Sequence, residues 1–103
     1  MVLNLKISDY AKSQIKGIAD YGRKHWGELQ SDEYVNDLFG VLEMLQQYPN
    51  AGRLFEYDWA HFVNEKIYLF PNNSHQIFYL VSENAVEIIA IGGSWQLPEN
   101  VLP

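Results

Sequence analysis

The sequence predicts an α+β domain in which an antiparallel sheet packs on a helical hairpin, in the order β-α-α-β-β-β. Three observations lead there. Two stretches with helical apolar spacing meet at Trp26-Gly27, three apolar runs near the end are separated by turn residues, and a short alternating run precedes them all. The chain has 103 residues, 48% hydrophobic and 15% aromatic, which suits one domain over 1–103 with enough apolar surface for a core.

Leu3, Leu5 and Ile7 alternate with Asn4 and Lys6, the period of a half-buried strand. Ser8 offers an N-cap. Ala11, Ile15, Ile18, Gly22 and Trp26 then recur at spacings of four and three, placing a helix over about residues 9–25. Lys24 and His25 suit the negative pole of its last turn, and Gly27 suits the left-handed residue after it. In a second helix, Tyr34, Val35, Leu38, Val41, Leu42, Leu45 and Tyr48 form the apolar positions and Glu28, Asp32 and Glu33 fill the opening turns. Pro49 stops it. The short corner makes the two helices antiparallel neighbours.

Residues 49–61 read as a loop. Strands follow over about 62–70, 75–81 and 85–91, joined by the turn residues Pro71-Asn-Asn-Ser74 and Ser82-Glu-Asn84, so an antiparallel meander is the simple connection. Asn72-Asn73-Ser74 also matches a glycosylation acceptor, but in a cytoplasmic chain it is a turn.

Net charge is −6, unevenly spread. Residues 1–27 carry Lys6, Lys12, Lys16, Arg23 and Lys24 against Asp9 and Asp20, a net of +3; residues 28–103 carry Arg53 and Lys66 against eleven acids, a net of −9. Nucleic-acid attraction could come only from the first helix, whose cations read as a solvated face. There is no cysteine and no apolar stretch long enough for a membrane span, which points to a cytoplasmic protein without disulfides or thiolate metal sites. His25, His61 and His75 lie on different elements without metal-ligand spacing, so no metal site and no cofactor is expected.

Trp26 reads as core covering the helix corner. Arg53 has two readings, a local ion pair with Glu56 or Asp58 or a contact with a partner. His75 and Tyr79 share one face of their strand. The loop aromatics Phe55, Tyr57, Trp59 and Phe62 either tuck beneath the sheet edge or present an interface, and Trp95 in the tail invites the same two readings with the interface ahead.

Four features together resemble the ParE branch of the RelE/ParE toxin superfamily of type II toxin–antitoxin systems. They are the Tyr-x4-Trp-Gly-x2-Gln corner at Tyr21 to Gln30, the Pro-x2-Gly-Arg loop at Pro49 to Arg53, the His-x-Ile-Phe-Tyr strand at His75 to Tyr79, and the element order. The resemblance implies a growth-inhibiting toxin neutralised by a cognate antitoxin whose C-terminal segment wraps it, seated in a groove on the sheet face away from the helices. It implies inhibition of DNA gyrase for a ParE-like member and ribosome-dependent mRNA cleavage for a RelE-like one. Residues expected to meet a partner are Arg53, Tyr57, Trp59, His75, Tyr79 and Trp95. RNA cleavage needs a base, an acid and cations for the phosphorane. Arg53, Lys66 and His75 are the residues that could supply them, and this small inventory favours binding over catalysis, leaving no catalytic residue on the preferred reading. Aligned back from Leu97-Pro98, Ile89, Gly92, Trp95 and Gln96 stand where family members commonly carry Arg, His and an Arg-Asp pair. A toxin fold that binds only its antitoxin is therefore a further alternative.

Overall fold

The computed structural model describes residues 3–56 and 65–103. Strand β1 (Asn4–Ile7) leads into helix α1 (Asp9–Trp26) and helix α2 (Glu28–Gln47). A 3-10 turn at Pro49–Ala51 precedes β2 (Arg53–Phe55). Strands β3 (Ile67–Asn72), β4 (His75–Val81) and β5 (Ala85–Gly93) follow, and the short helix α3 (Pro98–Val101) comes last. The α+β class and the helical hairpin on the sheet match the sequence expectation.

The sheet differs from the expected all-antiparallel one in two respects. It has five strands in the order β1-β5-β4-β3-β2, because Arg53–Phe55, read as loop, pairs antiparallel with β3. β1 also runs parallel to β5, Asn4 opposite Ala85 and Ile7 opposite Ile88. The reason is geometric: a hairpin of two antiparallel helices brings the chain back to the end of the sheet from which α1 departed, β2 leaves from there against the direction of β1, and three further reversals bring β5 out in the direction of β1.

Ser8 caps α1 as expected, its Oγ accepting from Ala11 N at 3.0 Å. One residue, Gly27, separates the helices, with φ 94° and ψ 163° rather than the left-handed helical values. It both ends α1 and starts α2, so the backbone must swing outward there, and only glycine tolerates that region. Gly22 makes the hairpin tight: a Cβ on it would lie 2.7 Å from Ser31 Oγ. Ser31 is buried, and its hydroxyl donates to Ala19 O across the two helices at 2.8 Å.

Apolar side chains fill both faces of the sheet. On the helix side Ala11, Ile15, Leu38, Leu42 and Leu45 meet Ile77, Tyr79, Val86, Ile88 and Ile91. On the other side Ile67, Leu69, Phe78, Ile89 and Ala90 pack with Val101 and Leu102. On that second face, where a groove for a partner is expected, the chain's own residues Val101 and Leu102 pack against the strands. Terminal residues joined the core because Gly92, lacking a side chain, lets Val101 lie directly on β5. The docked tail is also tied to α1, since Tyr10 Oη and Gln14 Nε2 both donate to Val101 O, at 2.7 and 3.0 Å. Gln14 Oε1 accepts from Ile91 N at 2.6 Å, beyond the point where β1 stops covering the edge of β5.

Candidate functional site

The second half of α1, the Gly27 corner, the start of α2, the start of β4 and the end of β5 converge at one end of the sheet, and what they bring together is aromatic. Ring contacts run from His25 to Tyr21 (centroids 4.0 Å apart) to Trp26 (5.9 Å) to Tyr34 (5.5 Å) to His75 (5.4 Å) to Trp95 (6.1 Å). Four of these rings, Tyr21, Trp26, His75 and Trp95, border an open cavity of about 530 Å³. Gly17 leaves room in the lining, since a Cβ there would meet nothing within 4 Å. Trp95 rests against Gly93, where a Cβ would run into its indole. The tail around it is fixed by backbone: Ser94 N donates to Ser74 O at 2.8 Å, and Gly93 N donates to Gln96 Oε1 at 2.7 Å.

Among the described residues no Asp, Glu, Lys or Arg lines this cavity. Its titratable group is His75, which is buried and whose Nδ1 is hydrogen-bonded to the Tyr34 hydroxyl. Burial holds the His75 pKa below its ordinary value, so the ring is neutral at neutral pH and the site carries no fixed charge. Such a surface gains free energy by removing apolar area from water. Exposed rings held by a rigid scaffold lose little conformational freedom on binding. Trp95 is 72% exposed and Tyr21 57%.

The other expected site residues fall in several places. Tyr79 is fully buried, so it is not a partner contact. Its hydroxyl donates to Pro49 O at 2.8 Å and accepts from Gly52 N at 2.9 Å, anchoring the chain between α2 and β2. Trp26, expected in the core, is 39% exposed and forms a wall of the cavity. The reason is that α1 runs through Trp26 itself, which carries the ring past the sheet end. Arg53 is exposed at the sheet edge, without an ion pair to Glu56. Tyr57 and Trp59, with His61, Phe62 and the proposed start of the strand at 62, lie outside the described residues. Trp95 is exposed, and His75 lies beside it but is turned inward.

Arg53, Lys66 and His75 are not brought together. Arg53 pairs with Leu69, whose side chain belongs to the second sheet face, whereas His75 shares the helix-side face with Ile77 and Tyr79. Lys66 stands before β3 and His75 pairs with Asn72 at the far end of that strand, a separation of about 20 Å at the strand rise per residue. Among the described residues no three His, Cys, Asp or Glu side chains are grouped as for a metal, and no helix is long and apolar enough to cross a membrane.

The residue of the ring path missed in the sequence is Tyr34, which lies behind the cavity wall against Trp26 and His75. Its place in the helical period marked it as core, but its hydroxyl reaches His75 and Ser74, the latter at 3.4 Å. The polar tip of tyrosine at the helix end nearest the corner was the available signal.

Comparison with known proteins agrees with this architecture. The model of a family described as the ParE toxin of the type II toxin–antitoxin system, parDE, matches residues 5–97. A relative named Toxin ParE1, from Caulobacter vibrioides, is 29% identical over 86 residues, 84% of this chain and 83% of that protein. A solved structure described as the chromosomal ParDE TA system from P. aeruginosa superposes with a TM-score of 0.68 at 17% identity, covering 84% of this chain and 90% of that one, a likeness of fold.

Proposed function

Because the chain belongs to the ParE toxin family of type II toxin–antitoxin systems, we propose that it acts in the cytoplasm by binding and not by catalysis, with a cognate antitoxin seated over the aromatic cavity and DNA gyrase as the target of the free protein. The observation that carries the binding half is the uncharged cavity walled by Tyr21, Trp26, His75 and Trp95. Clustered, partly exposed Trp and Tyr side chains are the residues that anchor protein interfaces. The dispersal of Arg53, Lys66 and His75 over both sheet faces and both ends of β3 supports the same reading, since phosphodiester cleavage needs its acid, base and cations around one phosphate. The gyrase half rests on the family resemblance of the corner, loop and strand motifs.

A second reading is favoured by one observation. At positions where family members commonly carry polar groups in the last strand, Ile89 is packed in the second core layer and Gly92 lies beneath Val101. Both positions are committed to packing, which supports a toxin fold that binds its antitoxin without inhibiting a target.

Expression in a bacterial host, alone and with the antitoxin, together with a supercoiling assay on purified gyrase, tests these readings. Growth arrest relieved by the antitoxin, with supercoiling inhibited, is the expected result. Antitoxin binding without arrest selects the second reading. Cleaved transcripts with untouched supercoiling would overturn both.

A further inference from the structure

We propose that the protein segment bound at this site seats an arginine or lysine side chain in a second cavity beside the first, against Trp26, Tyr34, Glu33 and Asp37, while an apolar side chain of the same segment fills the uncharged cavity. The inference rests on the reading of the chain as a protein-binding toxin fold, and adds the chemistry its partner must present.

The second cavity, of about 440 Å³, shares Trp26 and Ser74 with the first, so one short segment can span both. Its remaining lining differs in kind. Glu33 and Asp37 stand one helical turn apart on α2 and both border it. Like charges at that spacing disfavour the helix, yet α2 contains Glu28, Asp32, Glu33, Asp37 and Glu43 and no Lys, Arg or His. Among the described residues neither Glu33 nor Asp37 has an ion pair or side-chain hydrogen bond. The same lining holds two rings, Trp26 and Tyr34, 5.5 Å apart and inclined at 49°.

Each wall favours the same guest. Aromatic faces attract cations, Trp most strongly. Two free carboxylates attract them as well, and a guanidinium can stack on a ring while donating to carboxylates at its edge. An anionic side chain would be repelled, and a purely apolar one would desolvate Glu33 and Asp37 without return. Charge complementarity therefore assigns a cation here, and the charge-free lining next door assigns an apolar neighbour.

The test uses the whole chain and two small probes, N-acetylarginine methylamide and its neutral isostere N-acetylcitrulline methylamide, titrated while the Trp26 indole N–H is followed by NMR and identified with Trp26→Phe. The arginine probe is expected to bind about five- to tenfold more tightly than the citrulline probe, the sum of a ring–cation contact and two exposed ion pairs. Glu33→Gln with Asp37→Asn should lower that ratio to about twofold, the share left to the ring–cation contact, because the charges that the ion pairs need are removed while the rings stay in place. Glu28→Gln with Asp32→Asn, acids of the same helix outside the lining, should leave it unchanged. Equal affinities for the two probes, no response of Trp26 to arginine at its solubility limit, or a preference lost only in the Glu28/Asp32 variant would overturn the proposal. So would a cognate antitoxin that binds the Glu33/Asp37 variant with unaltered affinity, a result that leaves the partner reading standing. An arginine preference in a chain that binds no antitoxin would instead remove the partner reading and keep the cavity's chemistry.

Discussion

Replacing Tyr79 by Phe removes one oxygen and two buried hydrogen bonds while keeping the ring. The hydroxyl links Pro49 O and Gly52 N, the two polar groups that fix the chain between α2 and β2. Leaving a buried donor or acceptor unpaired costs about 1–3 kcal/mol each, and both partners are half-buried and partly reached by water, so the low end applies and the sum is about 2–3 kcal/mol. For a chain of this size, whose whole stability is about 5–15 kcal/mol, that is a large fraction, and the melting temperature should fall by about 10–20 °C. Thermal and urea unfolding followed by circular dichroism measure it. The matched control is Tyr68→Phe: Tyr68 stacks on Tyr79 at 5.6 Å but its hydroxyl bonds to no described residue, so the change should stay below about 0.5 kcal/mol. There is also an alkaline signature. Burial, aided by the neighbouring Tyr68, raises the Tyr79 pKa above 10.0, against the opposing Gly52 N–H. A group whose folded pKa is raised contributes stability in full below the unfolded value and loses it as pH climbs through the folded one, so the parent protein should weaken above pH 10 by a component absent from the Phe variant. A melting temperature for Tyr79→Phe within about 2 °C of the parent would refute the anchoring role.

Three further outcomes are expected. Gly22→Ala would set a methyl 2.7 Å from Ser31 Oγ and 3.0 Å from the Trp26 ring, forcing the helices apart at a cost of about 1–3 kcal/mol, readable by urea denaturation. Trp95→Ala should leave the melting temperature nearly unchanged, since the ring is 72% exposed, yet weaken antitoxin binding by at least about 2 kcal/mol in calorimetry, as for a central aromatic anchor. His75 has a folded pKa below 6.5 through burial, so its contribution is complete above that value and declines as pH falls; between about pH 6.5 and 5, before carboxylates titrate, the stability of the parent should drop while that of His75→Phe stays flatter.

The sequence carried the local elements well. Ser8, the four-and-three spacing of Ala11, Ile15, Ile18 and Gly22, and Pro49 marked the helices to within about a residue, because capping and steric rules act over a few neighbours. β4 and β5 announced themselves by apolar runs bounded by turn residues. What escaped is what depends on distant partners. The three residues of β2 show no alternation long enough to register as a strand, and they become one only because β3 lies alongside. Nothing in Asn4–Ile7 says which strand it will join or in which direction. At the site, Trp95 and His75 stand out individually in the sequence and Trp26 reads as core, but the path from His25 through Tyr34 to Trp95 crosses three elements and the tail, a juxtaposition that periodicity along one helix or strand does not encode. Tyr79 misled for the same reason. Its strand face was read correctly, but that face turned out to be the one beneath the helices.

The pairing of β1 with β5 and the clasp of Tyr10 and Gln14 on Val101 join parts of the chain separated by about eighty to ninety positions. Closing so long a loop has to precede any reward from these contacts, which slows folding relative to a helical protein of equal size. During vectorial synthesis the hairpin of helices leaves the ribosome well before β5 does, so its apolar flank waits uncovered until β5 has emerged. The aromatic cavity, whose far wall is Trp95, therefore forms only once β5 and the residues just after it have been made.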